Sequence, residues 1–168
     1  MRIVLLGAGG AGRAIATQAL LEKCPRLVIA NRKGGRALEL ADHLRAQFAR
    51  KGQARTEEDL QTVRWEDLGG ALQEADLVVN ATAAGLDPKE PSVLPARLLR
   101  SELLVYDTVY GAGSVKFRQE VETAGARWSD GLGMLLHQGA EAFSLWTRQE
   151  APLEVMRQAL QSVFAVAH

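Results

Sequence analysis

Residues 2–12 read Arg-Ile-Val-Leu-Leu-Gly-Ala-Gly-Gly-Ala-Gly, an apolar run followed at once by a glycine-rich segment. Glycines at positions 7, 9 and 12 have the spacing of a dinucleotide-binding turn between a buried strand and a helix. Gly7 suits the tight turn, Gly9 lets the backbone approach a pyrophosphate, and Gly12 lets the helix pack closely on the strand. The phosphates of such a ligand lie over the free N–H groups of the helix N-terminus.

An ordinary glycine turn is the alternative interpretation, because glycine turns are common. The context favours the binding turn, since Ala14, Ile15, Ala19 and Leu20 continue it with a helical spacing of apolar residues. A phosphate loop of the nucleotide-hydrolase type is disfavoured because no Gly-Lys-Ser/Thr follows at the required spacing.

Composition narrows the class of protein. The 168 residues are 47% hydrophobic and hold 20 basic and 20 acidic residues, so no net charge favours nucleic acid or an anionic membrane. Cys24 is the only cysteine, which excludes an intrachain disulfide and a cysteine-held metal. No apolar run approaches the ~20 residues of a membrane span, and the first strand begins at the N-terminus. We therefore expect a cytoplasmic protein without a signal peptide.

Alternating strand and helix patterns predict an α/β fold, a Rossmann-like, doubly wound and mainly parallel sheet of about six strands with helices on both faces. Residues 1–168 are expected to form a single domain. The predicted strands are 2–6, 26–30, 61–65, 76–79, 103–107 and 126–128. The first predicted helix follows the glycine turn. The later predicted helices are 36–50, a short stretch that ends at Leu72, 114–123, 132–147 and 152–165.

The second strand ends in Asn31-Arg32-Lys33, with Arg36 one turn later. An NAD site usually has Asp or Glu here to bind the ribose 2′-hydroxyl, and a carboxylate would repel a 2′-phosphate. Arg32 offers a planar donor fork to a phosphate, and Lys33 and Arg36 add positive charge. The alternative is a basic loop with solvated charges, but the missing carboxylate favours NADP as the cofactor.

Three further stretches, together with the glycine turn and Asn31-Arg32, resemble the nucleotide-binding domain of the shikimate dehydrogenases, a family that includes the quinate/shikimate dehydrogenases. The most specific is the Gly-x-x-Met-Leu-x-x-Gln pattern in the last of them. The stretches are Asn80-Ala-Thr-Ala-Ala-Gly-Leu86, Asp107-Thr-Val-Tyr110 and Gly131-Leu-Gly-Met-Leu-Leu-His-Gln-Gly-Ala-Glu-Ala-Phe143.

The resemblance covers essentially the whole chain and implies a role for each matched residue. Members of the family interconvert 3-dehydroshikimate and shikimate with NADPH and NADP in aromatic amino-acid biosynthesis. The turn would hold the pyrophosphate through Gly7, Ala8, Gly9, Gly10, Ala11 and Gly12, and the adenosine 2′-phosphate would lie against Asn31 and Arg32. The remaining cofactor contacts would come from Asn80, Ala81, Thr82, Thr108, Gly131 and Met134. Tyr110 and Gln138 would reach toward the substrate.

The chain departs from the family pattern at two places. Val115 stands where the family usually has threonine, in a segment Gly-Ala-Gly-Ser-Val that often contains proline. The family also carries an N-terminal substrate-binding domain with the catalytic Lys and Asp, and these 168 residues contain no counterpart of it. We therefore assign no catalytic residue and no metal, since His137, His43, His168 and Asp107 offer no convincing replacement.

These observations predict an NADP-binding domain of the shikimate dehydrogenase type that needs a substrate-binding domain for turnover. One alternative is a non-catalytic NADP-binding module that regulates a partner protein. Another is a related enzyme such as a quinate dehydrogenase or a glutamyl-tRNA reductase relative, although neutral charge disfavours a tRNA partner.

The helix predicted at 152–165 carries an apolar stripe at helical spacing. In the family this last helix packs toward the substrate-binding domain. Uncovered apolar surface usually marks an interface, so we expect a homodimer or a complex with a partner chain, and no nucleic-acid or membrane partner. The stripe consists of Leu153, Met156, Leu160, Val163 and Phe164.

Overall fold

The computed structural model describes residues 1–87 and 89–164, so Ala165 and His168 lie outside the described residues. Strands and helices alternate through most of the chain, as predicted. The strands are β1 (Arg2–Leu6), β2 (Arg26–Ala30), β3 (Leu60–Val63), β4 (Leu77–Asn80), β5 (Leu104–Asp107) and β6 (Arg127–Ser129). The α-helices are α1 (Gly10–Leu21), α2 (Gly34–Arg50), α3 (Leu68–Glu74), α4 (Val115–Thr123), α5 (Leu132–Thr147) and α6 (Leu153–Phe164).

The six strands form one parallel sheet in the order β3-β2-β1-β4-β5-β6. This confirms the predicted Rossmann-like α/β fold. The order reverses direction between β1 and β4, and in open parallel sheets ligands bind beyond the carboxyl ends of the strands at such a point. The fold therefore directs attention to the segments that follow β1 and β4.

Helices cover both faces of the sheet because successive residues of each strand point to opposite sides. Leu5, Leu27 and Ile29 pack with the apolar residues of α1 and α2 on one face. Val4 and Val28 pack with those of α3 and α4 on the other. Near-continuous apolar strands of this kind are typical of a parallel sheet that is buried on both sides.

Helices α5 and α6 are packed differently from α1 to α4. They lie against each other, and Leu136 is the only buried residue that α5 contributes. No residue of α6 over Leu153–Phe164 is fully buried. Among the helices that the structure describes, none has the length and apolarity to cross a membrane.

Element boundaries differ from the sequence-based expectations at a few positions. Helix α5 begins and ends where predicted, whereas α2 begins at Gly34 instead of Arg36. The third strand was expected to reach Trp65 but ends at Val63, which is paired with Ala30, the last residue of β2. Beyond that pair β2 offers no further residue to bond, and a 3₁₀ turn over Trp65–Asp67 begins.

Candidate functional site

The site residues predicted from the sequence follow the carboxyl ends of five strands and therefore lie along one edge of the sheet. Gly7 follows β1, Asn31 follows β2, Ala81 follows β4, Thr108 follows β5 and Gly131 lies just beyond β6. The residues fall into two groups along this edge. One surrounds the glycine turn, and the other lies at the ends of β5 and β6.

The glycine turn is packed so closely that two of its glycines leave no room for a side chain. Gly7 has φ of +104°, and a Cβ on it would lie 2.6 Å from the carbonyl oxygen of Ala81. A Cβ on Gly12 would lie 2.2 Å from the carbonyl oxygen of Gly7. A Cβ on Gly9 or Gly10 would instead meet no described atom within 4 Å, so open space lies above the start of α1. That space is where a phosphate would approach the helix N-terminus.

This space is one end of a cleft of about 370 Å³. One wall is the loop after β4, and the far end is the basic segment after β2. The lining residues are Gly7, Ala8, Gly9, Asn31, Arg32, Lys33, Arg36, Ala81, Thr82 and Ala83.

Asn31 ties the glycine turn to the basic segment. Its Oδ1 accepts a hydrogen bond from the backbone N–H of Ala8 at 3.3 Å, and its Nδ2 donates to the carbonyl oxygen of Lys33 at 2.9 Å. The sequence-based interpretation placed this side chain against the 2′-phosphate. In the structure the amide joins these two segments and also lines the cleft, and its contact with a 2′-phosphate stays a prediction.

Arg32, Lys33 and Arg36 are exposed at the rim of the cleft. None of the ion pairs in the described part of the chain involves them. No carboxylate of a described residue lines the cleft, so these three positive charges set its electrostatic character. An anion at this end of the cleft is favoured by charge and by the donor fork of arginine.

Asn80 lies beneath the cleft. It is fully buried, and its Nδ2 donates to Asp107 Oδ1 at 2.8 Å from the adjacent strand. Its Oδ1 accepts hydrogen bonds from the backbone N–H and the hydroxyl of Thr82, and the Thr82 Oγ1 accepts one from the Ala84 N–H. Asn80 therefore organises the loop that forms the cleft wall, while Ala81 and Thr82 provide the lining.

Asp107 is the second buried member of this network and was assigned no role from the sequence. Its Oδ1 also accepts a hydrogen bond from the Val109 N–H at 3.0 Å, whereas its buried Oδ2 has no partner among the described residues. Burial raises the pKa of Asp107 to about 6, against the opposing effect of the two hydrogen bonds. The strand register pairs Asn80 with Asp107, and sequence inspection alone does not reveal that pairing.

The second group of predicted residues lies at the ends of β5 and β6. Gly131 packs against Thr108, where a Cβ would lie 2.3 Å from the Thr108 carbonyl oxygen. Met134 is half-buried in the first turn of α5, and Gln138 is exposed one turn later. Tyr110 is half-buried in the turn after β5. None of these five residues lines the 370 Å³ cleft, so they lie apart from the glycine turn.

A smaller pocket of about 220 Å³ adjoins the basic rim and was not anticipated. Arg32 lines it together with Trp65, Glu90 and Pro91. Arg32 thus stands between two concavities. Trp65 was interpreted from the sequence only as a strand end, and its position next to Arg32 depends on the turn that follows β3.

Comparison with known proteins identifies the family. The family model described as "Shikimate / quinate 5-dehydrogenase" matches residues 1–88, and the model described as "Shikimate 5'-dehydrogenase C-terminal domain" matches residues 131–161. The chain belongs to the shikimate/quinate dehydrogenase family. The family resemblance inferred from the sequence is thereby confirmed.

Relatives within the shikimate/quinate dehydrogenase family share much of the sequence. The NADP(+) shikimate dehydrogenase of Methanopyrus kandleri is 40% identical over 159 residues, which are 94% of this chain and 53% of that protein. The chain therefore spans about half the length of the curated relatives it matches.

Solved structures of the family have the same fold. Quinate dehydrogenase from Corynebacterium glutamicum in complex with NAD matches with a TM-score of 0.81 and 28% identity, over 96% of this chain and 55% of that one. Shikimate 5-dehydrogenase from Thermus thermophilus in complex with NADP(H) and shikimate matches with a TM-score of 0.72 and 37% identity, over 95% and 54%. Complexes with both NAD and NADP(H) therefore occur among the structures that this chain resembles.

Proposed function

We propose that the chain is the NADP(H)-binding domain of a shikimate dehydrogenase, which reduces 3-dehydroshikimate to shikimate with NADPH and catalyses the reverse reaction. The observation that carries this proposal is the cleft over the glycine turn, which ends in Arg32, Lys33 and Arg36 and is lined by no carboxylate of the described residues. NAD sites of this fold usually place an acidic residue there. The relatives that use NADP(+) are consistent with this assignment.

The residues present fit NADP. The side-chain-free positions Gly9 and Gly10 leave room for the pyrophosphate at the N-terminus of α1. Arg32, Lys33 and Arg36 would bind the 2′-phosphate, and Ala81 with Thr82, organised from below by Asn80, would form the opposite wall. The bound cofactor supplies or accepts the hydride.

The second group of predicted residues, at the ends of β5 and β6, would border the reacting end of the cofactor. We assign Thr108, Gly131 and Met134 to the nicotinamide, and Tyr110 and Gln138 to the substrate. The close contact of Gly131 with Thr108 fixes the two segments relative to each other. Tyr110 and Gln138 carry polar groups suited to the hydroxyls or the carboxylate of a cyclohexene carboxylate.

The proton transferred with the hydride needs a positioned acid or base within hydrogen-bond reach of the substrate. Asp107 is unsuited because its side chain is buried and one oxygen is held by Asn80 and Val109. His137 is exposed on α5, and we assign it no part in the proton transfer. We therefore propose that the acid–base pair and the remaining substrate contacts come from a substrate-binding domain.

We further propose the α5–α6 face as the surface that this domain, or a second copy of the chain, covers. Leu145 and Trp146 at the end of α5 are 77% and 85% exposed, and Val155 and Val163 on α6 are each 65% exposed. Exposed large apolar side chains grouped on two packed helices are typical of an interface.

The cofactor assignment is tested by titrating NADP and NAD into the purified chain and into two variants. Arg32→Ala is expected to weaken NADP binding roughly 10- to 100-fold, because hydrogen bonds to charged groups contribute about 1.5–3 kcal/mol, and to change NAD binding little. Arg50→Ala, an exposed arginine at the far end of α2, is the matched control and should change neither. The assignment would be contradicted if the chain bound NAD and NADP equally well and Arg32→Ala changed neither affinity.

The reaction is tested by following NADPH absorbance with shikimate, with quinate and NAD as parallel controls. We expect no turnover by residues 1–168 alone and shikimate-dependent turnover when a family substrate-binding domain is supplied. NADP binding without turnover in both conditions would instead support a non-catalytic NADP-binding module.

A further inference from the structure

The end of α6 packs against the turn that follows β5. The rings of Tyr110 and Phe164 lie with their centroids 5.4 Å apart and their planes at 84°, an edge-to-face arrangement. Both side chains are half-buried. Such pairs contribute to stability beyond the area they bury, because the positive edge of one ring meets the negative face of the other.

Gly111 lies directly beside the Phe164 ring. Its φ is +69°, a conformation that favours glycine, and a Cβ on it would lie 3.4 Å from Cε1 of Phe164. The Phe164 ring therefore covers the backbone of the turn as well as the Tyr110 ring. Phe164 and Gly111 also border a cavity of about 440 Å³, so the ring has open space on another side.

Helix α6 also contacts α5 beside the second residue that we assign to the substrate. A Cβ on Gly139, the residue after Gln138, would lie 3.4 Å from Cε of Met156. The same helix thus packs against both elements that carry the proposed substrate contacts.

The backbone around Tyr110 is fixed without Phe164. On one side the Val109 N–H donates to Asp107 Oδ1 at 3.0 Å, and on the other the Ser114 hydroxyl donates to the Gly111 carbonyl oxygen at 2.9 Å. What Phe164 adds is a contact with the side chain. This ring–ring contact favours one orientation of the Tyr110 side chain.

We propose that Phe164 is a positioning residue that orients the Tyr110 ring toward the substrate, so that the C-terminal helix is part of the substrate site. This inference rests on the proposed function for the assignment of Tyr110 to the substrate. Loss of the aromatic ring at position 164 weakens substrate binding through Tyr110 and leaves cofactor binding intact.

The test compares Phe164→Leu with Phe164→Tyr, which keeps the ring, and with Gln161→Ala, which removes an exposed side chain of α6 that we assign to no contact. NMR of the Tyr110 ring in the chain itself is the first measurement. We expect Phe164→Leu to abolish the ring-current shift of the pair, and Phe164→Tyr and Gln161→Ala to retain it. Unchanged Tyr110 resonances in Phe164→Leu would overturn the proposal, whatever the enzyme activity.

The second measurement uses the chain supplied with a substrate-binding domain. Phe164→Leu is expected to raise KM for shikimate roughly 2- to 10-fold, the range that an aromatic pair supports, with kcat and the Kd for NADP changed less than about 2-fold. In a Tyr110→Ala background the same substitution should have no further effect on KM. An equal effect in both backgrounds, or an equal effect of Gln161→Ala, would show a merely structural role and overturn the proposal.

The two measurements separate failure of the inference from failure of the proposed function. Absence of turnover in the unsubstituted, assembled protein would overturn the proposed function, and the substrate role of Phe164 with it. Normal turnover with a KM that Phe164→Leu does not change would overturn only the inference.

Discussion

Two regions along the carboxyl edge of the sheet differ in how far their apolar side chains are buried. Around β1, α1 and β2, the glycine turn leaves no space between backbone segments, and the helices bury continuous apolar stripes. Around β6, α5 and α6, a single residue of these two helices is buried and several large apolar side chains are exposed. The first region is closely packed beneath the proposed cofactor cleft, whereas the second exposes apolar side chains of the kind found at interfaces.

The largest effect should come from removing equivalent leucines in the two regions. Leu44→Ala in α2 should lower the free energy of unfolding by about 2–5 kcal/mol, because Leu44 is fully buried. Leu160→Ala in α6 should lower it by about 1 kcal/mol, because that side chain is half-exposed. Urea unfolding of the two variants measures the difference. Equal losses would show that α6 belongs to the same core as α2.

A pH-dependent effect is expected at Asp107, which lies between the two regions. Its pKa in the folded protein, about 6, lies above the ordinary value of 3.8. The carboxyl therefore stabilises the fold most when protonated, below pH 3.8, and this contribution is lost as the pH rises through 6. The free energy of unfolding of Asp107→Asn, taken relative to that of the unsubstituted protein, should therefore rise by about 3 kcal/mol as the pH increases from about 3.5 to about 7.

Urea unfolding at several pH values measures this change. The exposed Asp42→Asn is the control for loss of a carboxylate. A difference between Asp107→Asn and the unsubstituted protein that does not vary with pH would contradict a raised pKa at this site.

Gly12→Ala tests the close packing of the first region. The new Cβ would meet the Gly7 carbonyl oxygen, so the turn must shift, at a cost of about 1–3 kcal/mol in stability and a large loss of NADP affinity. Gly70→Ala in α3 is the matched control, since its Cβ meets no described atom within 4 Å, and it should be neutral or stabilising by up to about 1 kcal/mol. Thermal unfolding and NADP titration of both variants provide the comparison. NADP binding that survives Gly12→Ala would refute our account of the turn.

The smallest effect on stability should come from Trp146→Gln. Because this side chain is 85% exposed, unfolding of the isolated domain should change by less than about 0.5 kcal/mol. Self-association, or binding of a substrate-binding domain, should weaken clearly. Light scattering across concentrations measures the first, and a monomeric unsubstituted chain at every concentration would contradict the predicted homodimer.

Most of the fold was predictable because its signals are local. β1, β2, β4 and β5 are mostly apolar runs, and the glycine spacing after β1 predicts both the turn and the helix that follows it. The end of β3 was not predictable, since it is set by the end of β2 beside it.

The site was predictable as a set of positions but not as a set of contacts. The role of Asn31 in joining Ala8 to Lys33, the Asn80–Asp107 pair and the Tyr110–Phe164 contact each depend on segments that the fold brings together. Phe164 was recognised from the sequence as apolar, but its partner is determined by how α6 packs against the turn after β5.

The position of β1 in the middle of the sheet also has a consequence for folding kinetics. β1 pairs with β2 after a single helix, but its pairing with β4, reinforced by the Arg2–Asp76 contact across 74 residues, requires a much longer loop to close. Closing such a long loop costs chain entropy before the strand contacts form, and this slows folding. A ribosome-bound chain can complete β1–β2 early, whereas β4, β5 and β6 add to that template only once the later segments have emerged. We therefore expect the rate-limiting step to be docking of β4 on β1, after β1 and β2 have paired and before β5 and β6 join the sheet.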